Sequence, residues 1–307
     1  MNNNILQPLI FDDKKQIFIF VEYLMNISEI EQKELADKIE SLNINTIVIR
    51  CLKKENENIE YSPKFLQFIN KENIKALYMY VKIDSSLLRS FVNLEELGVV
   101  FLDNELLNIN DFNDLKVINI FGYEDNFRNI KIKNNLDYLL FEKVKNQIFN
   151  YSLNLNGLKK LVFWGYHSVY LDKILNNSLN ELCVENNKKI YINENINLLK
   201  SIEVLKLTKC DTCWLNSNII KEMINLKELH LEKCDLKFLN NEVFQMLTNL
   251  KVLIIDKCKN LESVNNIGFL DRVVILDTKI EDNNIEPLLN TNDVHITHYK
   301  TYNLKIN

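Results

Sequence analysis

The chain has 307 residues, 47% of them hydrophobic and 26% charged, with a formal net charge of −5. This is the composition of a globular protein, and its interspersed acids and bases argue against nucleic-acid binding, which needs a basic face to neutralise phosphates. Five Gly and three Pro leave no flexible linker, and no apolar run reaches the roughly 18 residues of a membrane span.

The amino terminus lacks the basic stretch and long apolar run of a secretory leader, so a cytoplasmic placement is expected. Asparagine occurs 47 times, and 33 of the 37 basic residues are Lys. The asparagines are spread along the chain, which reads as compositional bias and not as a prion-like segment. The apolar run Ile17–Val21 predicts a strand. Ser28 followed by Glu31 is a capping box, each side chain satisfying the other's backbone N–H. Ile30, Leu35, Ile39 and Leu42 then give the apolar stripe of a helix. Residues 1–41 are expected to cap an array that fills residues 42–307.

That array announces itself at Ile44. From there an aliphatic residue is followed by another three positions later and a third after two more, and the unit recurs. The frames begin at Ile44, Ile74, Leu94, Leu115, Leu136, Leu158, Leu179, Ile202, Leu226, Leu250 and Leu270, with a weaker twelfth at Thr291. Numbering each frame from its first aliphatic residue, positions 1, 4 and 6 point inward. The two-residue alternation predicts a strand with one buried face. Repeats of 20–24 residues have room only for short helical or extended returns between parallel strands. The first gap, 30 residues long, holds Ser62-Pro63, a helix start, with Phe65, Leu66 and Ile69 turned inward behind it. Tyr299–Asn307 are expected to close the last strand.

The unit from Leu226 to Asn249 places Leu226, Leu229, Leu231, Cys234, Leu236, Leu239, Phe244 and Leu247 at the apolar positions of a 24-residue consensus. In this the chain resembles the leucine-rich repeat family over roughly residues 42–299. The resemblance implies an α/β fold: a curved solenoid, a parallel sheet on its concave face and short helical or extended turns on its convex face. It also implies that position 9 carries an Asn or Cys hydrogen-bonded to neighbouring backbone. The residues there are Leu52, Lys82, Leu102, Tyr123, Val144, Tyr166, Asn187, Cys210, Cys234, Cys258 and Thr278, so the carboxy-terminal half keeps that rule and the amino-terminal half departs from it. A less regular amino-terminal half is expected.

The same frame decides how the cysteines and histidines read. A zinc site wants four ligands converging on one point, but Cys210, Cys234 and Cys258 fall on equivalent positions of successive turns. Reduced, metal-free thiols are expected, and no cofactor. His295 and His298 lie on a strand-like segment, not on a helix that could share a metal between them. No phosphate loop, nucleophile elbow or zinc-protease helix is present, and the repeats leave little chain for a catalytic domain, so no enzyme is expected.

Positions 3, 5 and 7 point away from the core. The early strands place Tyr78, Tyr80, Phe121, Tyr138 and Trp164 there, and the later ones Glu185, Lys206, His230, Glu232 and Asp256. Exposed aromatics suit an interface. The alternatives are that the stripe is covered by its own chain, that the frame slips by one residue, or that the stripe joins two copies. The expected function is a monomeric, non-enzymatic scaffold holding a protein partner on the concave face. An inhibitor or immunity-type protein facing a toxin or enzyme, and a bacterial effector acting in a host, are the competing readings.

Overall fold

In the computed structural model, residues 7–51, 64–83, 85–101, 112–121, 136–142, 148–149, 153–192, 197–216, 218–239, 246–264, 270–278 and 293–297 are described. Every repeat frame yields a strand at its positions 3–7. The chain divides into two compact units, Met1–Glu142 and Lys143–Asn307.

The first unit holds β1 (Leu9–Phe11), β2 (Gln16–Phe20), β3 (Thr46–Arg50), β4 (Ala76–Ile83), β5 (Glu96–Phe101), β6 (Val117–Phe121) and β7 (Tyr138–Glu142). They hydrogen-bond in sequence order. From β2 onward the pairing is parallel and in register with the repeat, Ile17 beside Ile47 and Ile47 beside Leu77. Strand β1 instead turns back antiparallel on β2, which the sequence reading did not anticipate. Between β2 and β3 run α1 (Val21–Asn26) and α2 (Glu29–Ser41). The capping box forms as expected: Ser28 N–H donates to Glu31 Oε2 at 2.7 Å and Glu31 N–H to Ser28 Oγ at 3.3 Å. The stripe of α2 is corrected in one place. Leu35 and Ile39 are buried, but Ile30 is 73% exposed and the buried companion is Gln32, whose amide donates to the Leu24 carbonyl at 3.2 Å. Phe65, Leu66 and Ile69 are buried as expected; Ser62-Pro63 lie outside the described residues.

The second unit holds β8 (Lys160–Trp164), β9 (Glu181–Glu185), β10 (Val204–Thr208), β11 (Glu228–Glu232), β12 (Val252–Asp256), β13 (Arg272–Leu276) and β14 (Asp293–Thr297). All are parallel, each residue facing its equivalent one repeat away, as Leu205 faces Leu229 and Leu229 faces Leu253. The returns are short, as the spacing requires. Residues Ser168–Tyr170 and Lys189–Tyr191 are extended and paired, whereas Asn197–Ser201 and Cys213–Asn216 are single helical turns.

In both units the core is the frame. Positions 1, 4 and 6, such as Ile44, Ile47 and Ile49 or Leu226, Leu229 and Leu231, are buried. Each such Leu or Ile contributes roughly 1.5–3 kcal/mol by leaving water. The opposite positions 3, 5 and 7 form the open face of each stack.

After β8 to β13 the chain turns through left-handed backbone at position 8: Gly165, Asn186, Lys209, Lys233, Lys257 and Asp277 all have φ between 51° and 82°. The first five of these N–H groups donate to the position-7 carbonyl of the next strand at 2.8–2.9 Å. Position 9 then supplies the expected ladder. Asn187 donates to the Phe163 and Glu185 carbonyls at 3.2 and 2.7 Å and accepts from Tyr166 N–H at 2.8 Å. The Cys210 thiol lies 3.0 Å from the Val184 carbonyl, Cys234 3.3 Å from Leu207 and Cys258 3.7 Å from Leu231. Burial pushes the Cys210 thiol up to about 12, and a hydrogen bond to Cys234, then burial, pushes Cys258 up as well. Tyr166, the departure nearest this ladder, fills its place with a buried ring. Leu52, Leu102, Tyr123 and Val144, the Lys82 side chain and Tyr299–Asn307 lie outside the described residues.

A second ladder escaped the sequence reading. The Asn just before a frame donates its side-chain amide to a carbonyl of the preceding repeat: Asn93 to Glu72 at 2.9 Å, Asn225 to Lys200 at 2.7 Å and Asn249 to Ile224 at 2.8 Å. The signal was present as Asn at the position before Leu94, Leu226 and Leu250, hidden in the general abundance of that residue.

Candidate interaction surface

On the open face of the first unit, two local departures from regular strand geometry converge on one aromatic patch. The pairing of β4 with β5 shifts between Met79 and Lys82, so Tyr80 belongs to a bulge. Bulges re-aim side chains and break pairing. Tyr80 reaches past β5 and stacks on Phe121 of β6, ring centres 4.3 Å apart and planes 25° apart. The second departure is Gly98, inside β5 and directly beside Tyr78 in register. A glycine in a strand marks close approach of another group. Here a Cβ would collide with the Tyr78 ring and lie 3.0 Å from Phe121 Cε2.

Tyr78 thus lies over Gly98, and its hydroxyl donates to the Glu96 carboxylate. Burial, then that hydrogen bond and the Glu96 charge, push the Tyr78 phenol upward. Burial and the Glu142 charge raise Tyr80, with Arg50 acting in the opposite sense. Tyr138 is half-buried and near enough to Tyr78 to add to its shift. Phe121 corrects the expectation of an exposed stripe. It is 9% exposed, because Tyr80 covers one face of its ring. Tyr80 keeps 36% of its surface.

In the second unit Trp164 ends β8, half-buried, with Glu185 of β9 beside it in register. Glu181 anchors the charged part of this face. Its carboxylate accepts from Lys206 at 2.7 Å and lies 3.1 Å from Lys160. Burial opposes its charge, but the two lysines hold its carboxyl below the usual range, and Glu181 in turn raises Lys206. Cys183, on the same face, is buried, and burial followed by the Glu181 charge pushes its thiol up to about 12. His230 Nε2 lies 3.2 Å from Glu228. Glu232 and Asp256 contact Lys233 and Lys257 one residue further on. Of the ten residues proposed from the sequence, Tyr78, Tyr80, Phe121 and Tyr138 therefore lie in the first unit and the other six in the second. Among the described residues no group of three His, Cys, Asp or Glu could hold a metal ion, and no helix is long and apolar enough to cross a membrane.

Neither a protein-family model nor a curated protein matches the chain. Among solved structures it is similar to a Leptospira interrogans LRR protein, at 16% identity over 91% of this chain and 88% of that one, with a TM-score of 0.34. An internalin from Listeria monocytogenes is 14% identical over 77% of this chain and 84% of its own, with a TM-score of 0.32. The Drosophila Toll–Spatzle complex gives 14% identity, 92% and 50% coverage and a TM-score of 0.40. The in-register parallel strands, the left-handed position 8 and the position-9 ladder stand in the chain itself, and its fold is that of the leucine-rich-repeat proteins.

Proposed function

We propose that the chain is a non-enzymatic scaffold that holds another protein against the open face of its strands, with residues 1–41 as a cap and 42–307 as the array. The observation that carries this reading is the placement of large aromatics, above all Tyr80 and Trp164, on strand positions opposite the core while part of each ring remains accessible. Trp and Tyr dominate the energetics of protein interfaces. The backbone ladders fix their positions in advance, so little conformational freedom is lost on binding. The contact set is Tyr78, Tyr80, Phe121 and Tyr138 on the first unit and Trp164, Glu185, Lys206, His230, Glu232 and Asp256 on the second.

An inhibitor that blocks a basic toxin or enzyme would draw on the acids Glu185, Glu232 and Asp256. Two of these are offset by Lys233 and Lys257, so the aromatic patch is the better support. The test is capture of a partner from the native cell by the full chain, followed by affinity measurement with Trp164→Ala and Tyr80→Ala. Each should weaken binding by about 2 kcal/mol or more, Trp164→Ala with little loss of thermal stability. Unchanged affinity in both variants would remove the open face as the binding surface.

A further inference from the structure

The aromatic patch of the first unit has a chemistry of its own. Its rings gather around Gly98: Tyr78 lies across it, Phe121 touches it, and Tyr80 stacks on Phe121. Two carboxylates lie at its border. Glu96 is hydrogen-bonded by Tyr78, and the Glu142 charge is felt at Tyr80. Two basic residues belong to strands β2–β7: Arg50 ends β3 and acts on Tyr80, and the register shift in β4 sets Lys82 beside Val100 of β5.

Asn119 lies beside Gly98 in register, on the same face. Its side-chain oxygen is buried and has no hydrogen-bond partner. An unsatisfied buried acceptor is costly, and a donor delivered to it recovers that cost. Ring faces, the Glu96 carboxylate and an orphaned acceptor all favour the same kind of group, a planar cation with several N–H donors. A guanidinium stacks on aromatic faces and donates in several directions at once, which an ammonium does not. The two departures from regular strand geometry, the bulge at Tyr80 and the glycine at 98, both serve this one place.

The geometry points to an arginine-reading subsite: the patch formed by Tyr78, Tyr80, Phe121, Glu96 and Asn119 receives an arginine side chain presented by the protein partner. This rests on the scaffold reading and specifies what the open face of the first unit recognises.

The probes are the peptides acetyl-Gly-Arg-Gly-amide and acetyl-Gly-citrulline-Gly-amide, identical in shape but differing in charge, titrated into the full chain while the aromatic ring resonances are followed by NMR. The arginine peptide should shift the Tyr80 and Phe121 rings saturably, and the effect should weaken as salt screens it. The citrulline peptide should not. Glu96→Gln should weaken the arginine response at least about fivefold, as loss of a charge-assisted contact does, with an unchanged melting temperature. Tyr80→Phe keeps the stack and should retain the response. An absent or non-saturable shift with the arginine peptide, or an equal one with citrulline, would overturn the inference. The scaffold reading fails separately: it falls if the native partner binds Trp164→Ala and Tyr80→Ala as tightly as the unaltered chain, whatever the peptides do.

Discussion

Gly98 is a position where one added carbon has a steric cost. A methyl group there meets the Tyr78 ring and crowds Phe121, so Gly98→Ala should cost about 1–3 kcal/mol, the usual range for overpacking. Tyr78→Ala made in the same chain should relieve most of that cost, and a double-mutant cycle in urea measures the coupling. Additive losses would mean that the two residues do not share the space. Leu229, fully buried at position 4, tests the frame in the other direction: Leu229→Ala should cost about 2–5 kcal/mol, read from thermal or urea unfolding. The buried thiols add a pH dependence. Those of Cys183 and Cys210 are pushed up to about 12, whereas an unfolded thiol titrates near 8.5. The folded chain keeps protons that the unfolded chain releases. Their contribution is therefore whole below about pH 8.5 and is lost as pH rises toward about 12. The urea midpoint should fall between about pH 7.5 and 9.5, and fall less in Cys210→Ala. A drop of the same size in that variant would show that other groups carry the dependence.

At the scale of the element, the turn after each strand of the second unit is built on left-handed backbone, and non-glycine residues supply it at Lys209, Lys233 and Lys257. An L-residue carries a cost of roughly 1–2 kcal/mol in that conformation, partly offset by the flexibility that glycine would add to the unfolded chain. Lys209→Gly should therefore stabilise the chain by up to about 1 kcal/mol, seen as a higher melting temperature. A lower one would mean that the Lys209 side chain makes a contribution beyond its backbone. In the first unit, Ser28 caps α2 through both halves of its box, and Ser28→Ala should cost about 0.5–2 kcal/mol. Glu31→Gln should cost less, because an amide can still accept from the Ser28 N–H.

At the scale of the whole molecule, each strand gains stability from the neighbours on its two sides, so a repeat array is stable in proportion to what flanks each turn. Strand β1 has three residues and one partner strand, whereas β11 pairs along its full length with β10 and β12. Amide exchange should be at least about tenfold slower in β11 than in β1, consistent with opening that begins at ends and edges. Equal protection would mean that the stacks open all at once.

The repeat period settled the fold from the sequence, because burial on one face of a strand imposes a two-residue alternation, and a parallel return imposes a fixed length between alternations. The same logic located the position-9 ladder at Asn187, Cys210, Cys234 and Cys258, and capping chemistry located Ser28 and Glu31. What the frame could not show depends on contacts between residues of different strands. The bulge that carries Tyr80 over to Phe121, the ring of Tyr78 filling the space above Gly98 and the lysines gathered on Glu181 follow from register between neighbouring strands. Alternation says which face a side chain leaves by. Which ring then covers which, and which stays open to a partner, was decided only when the strands lay side by side.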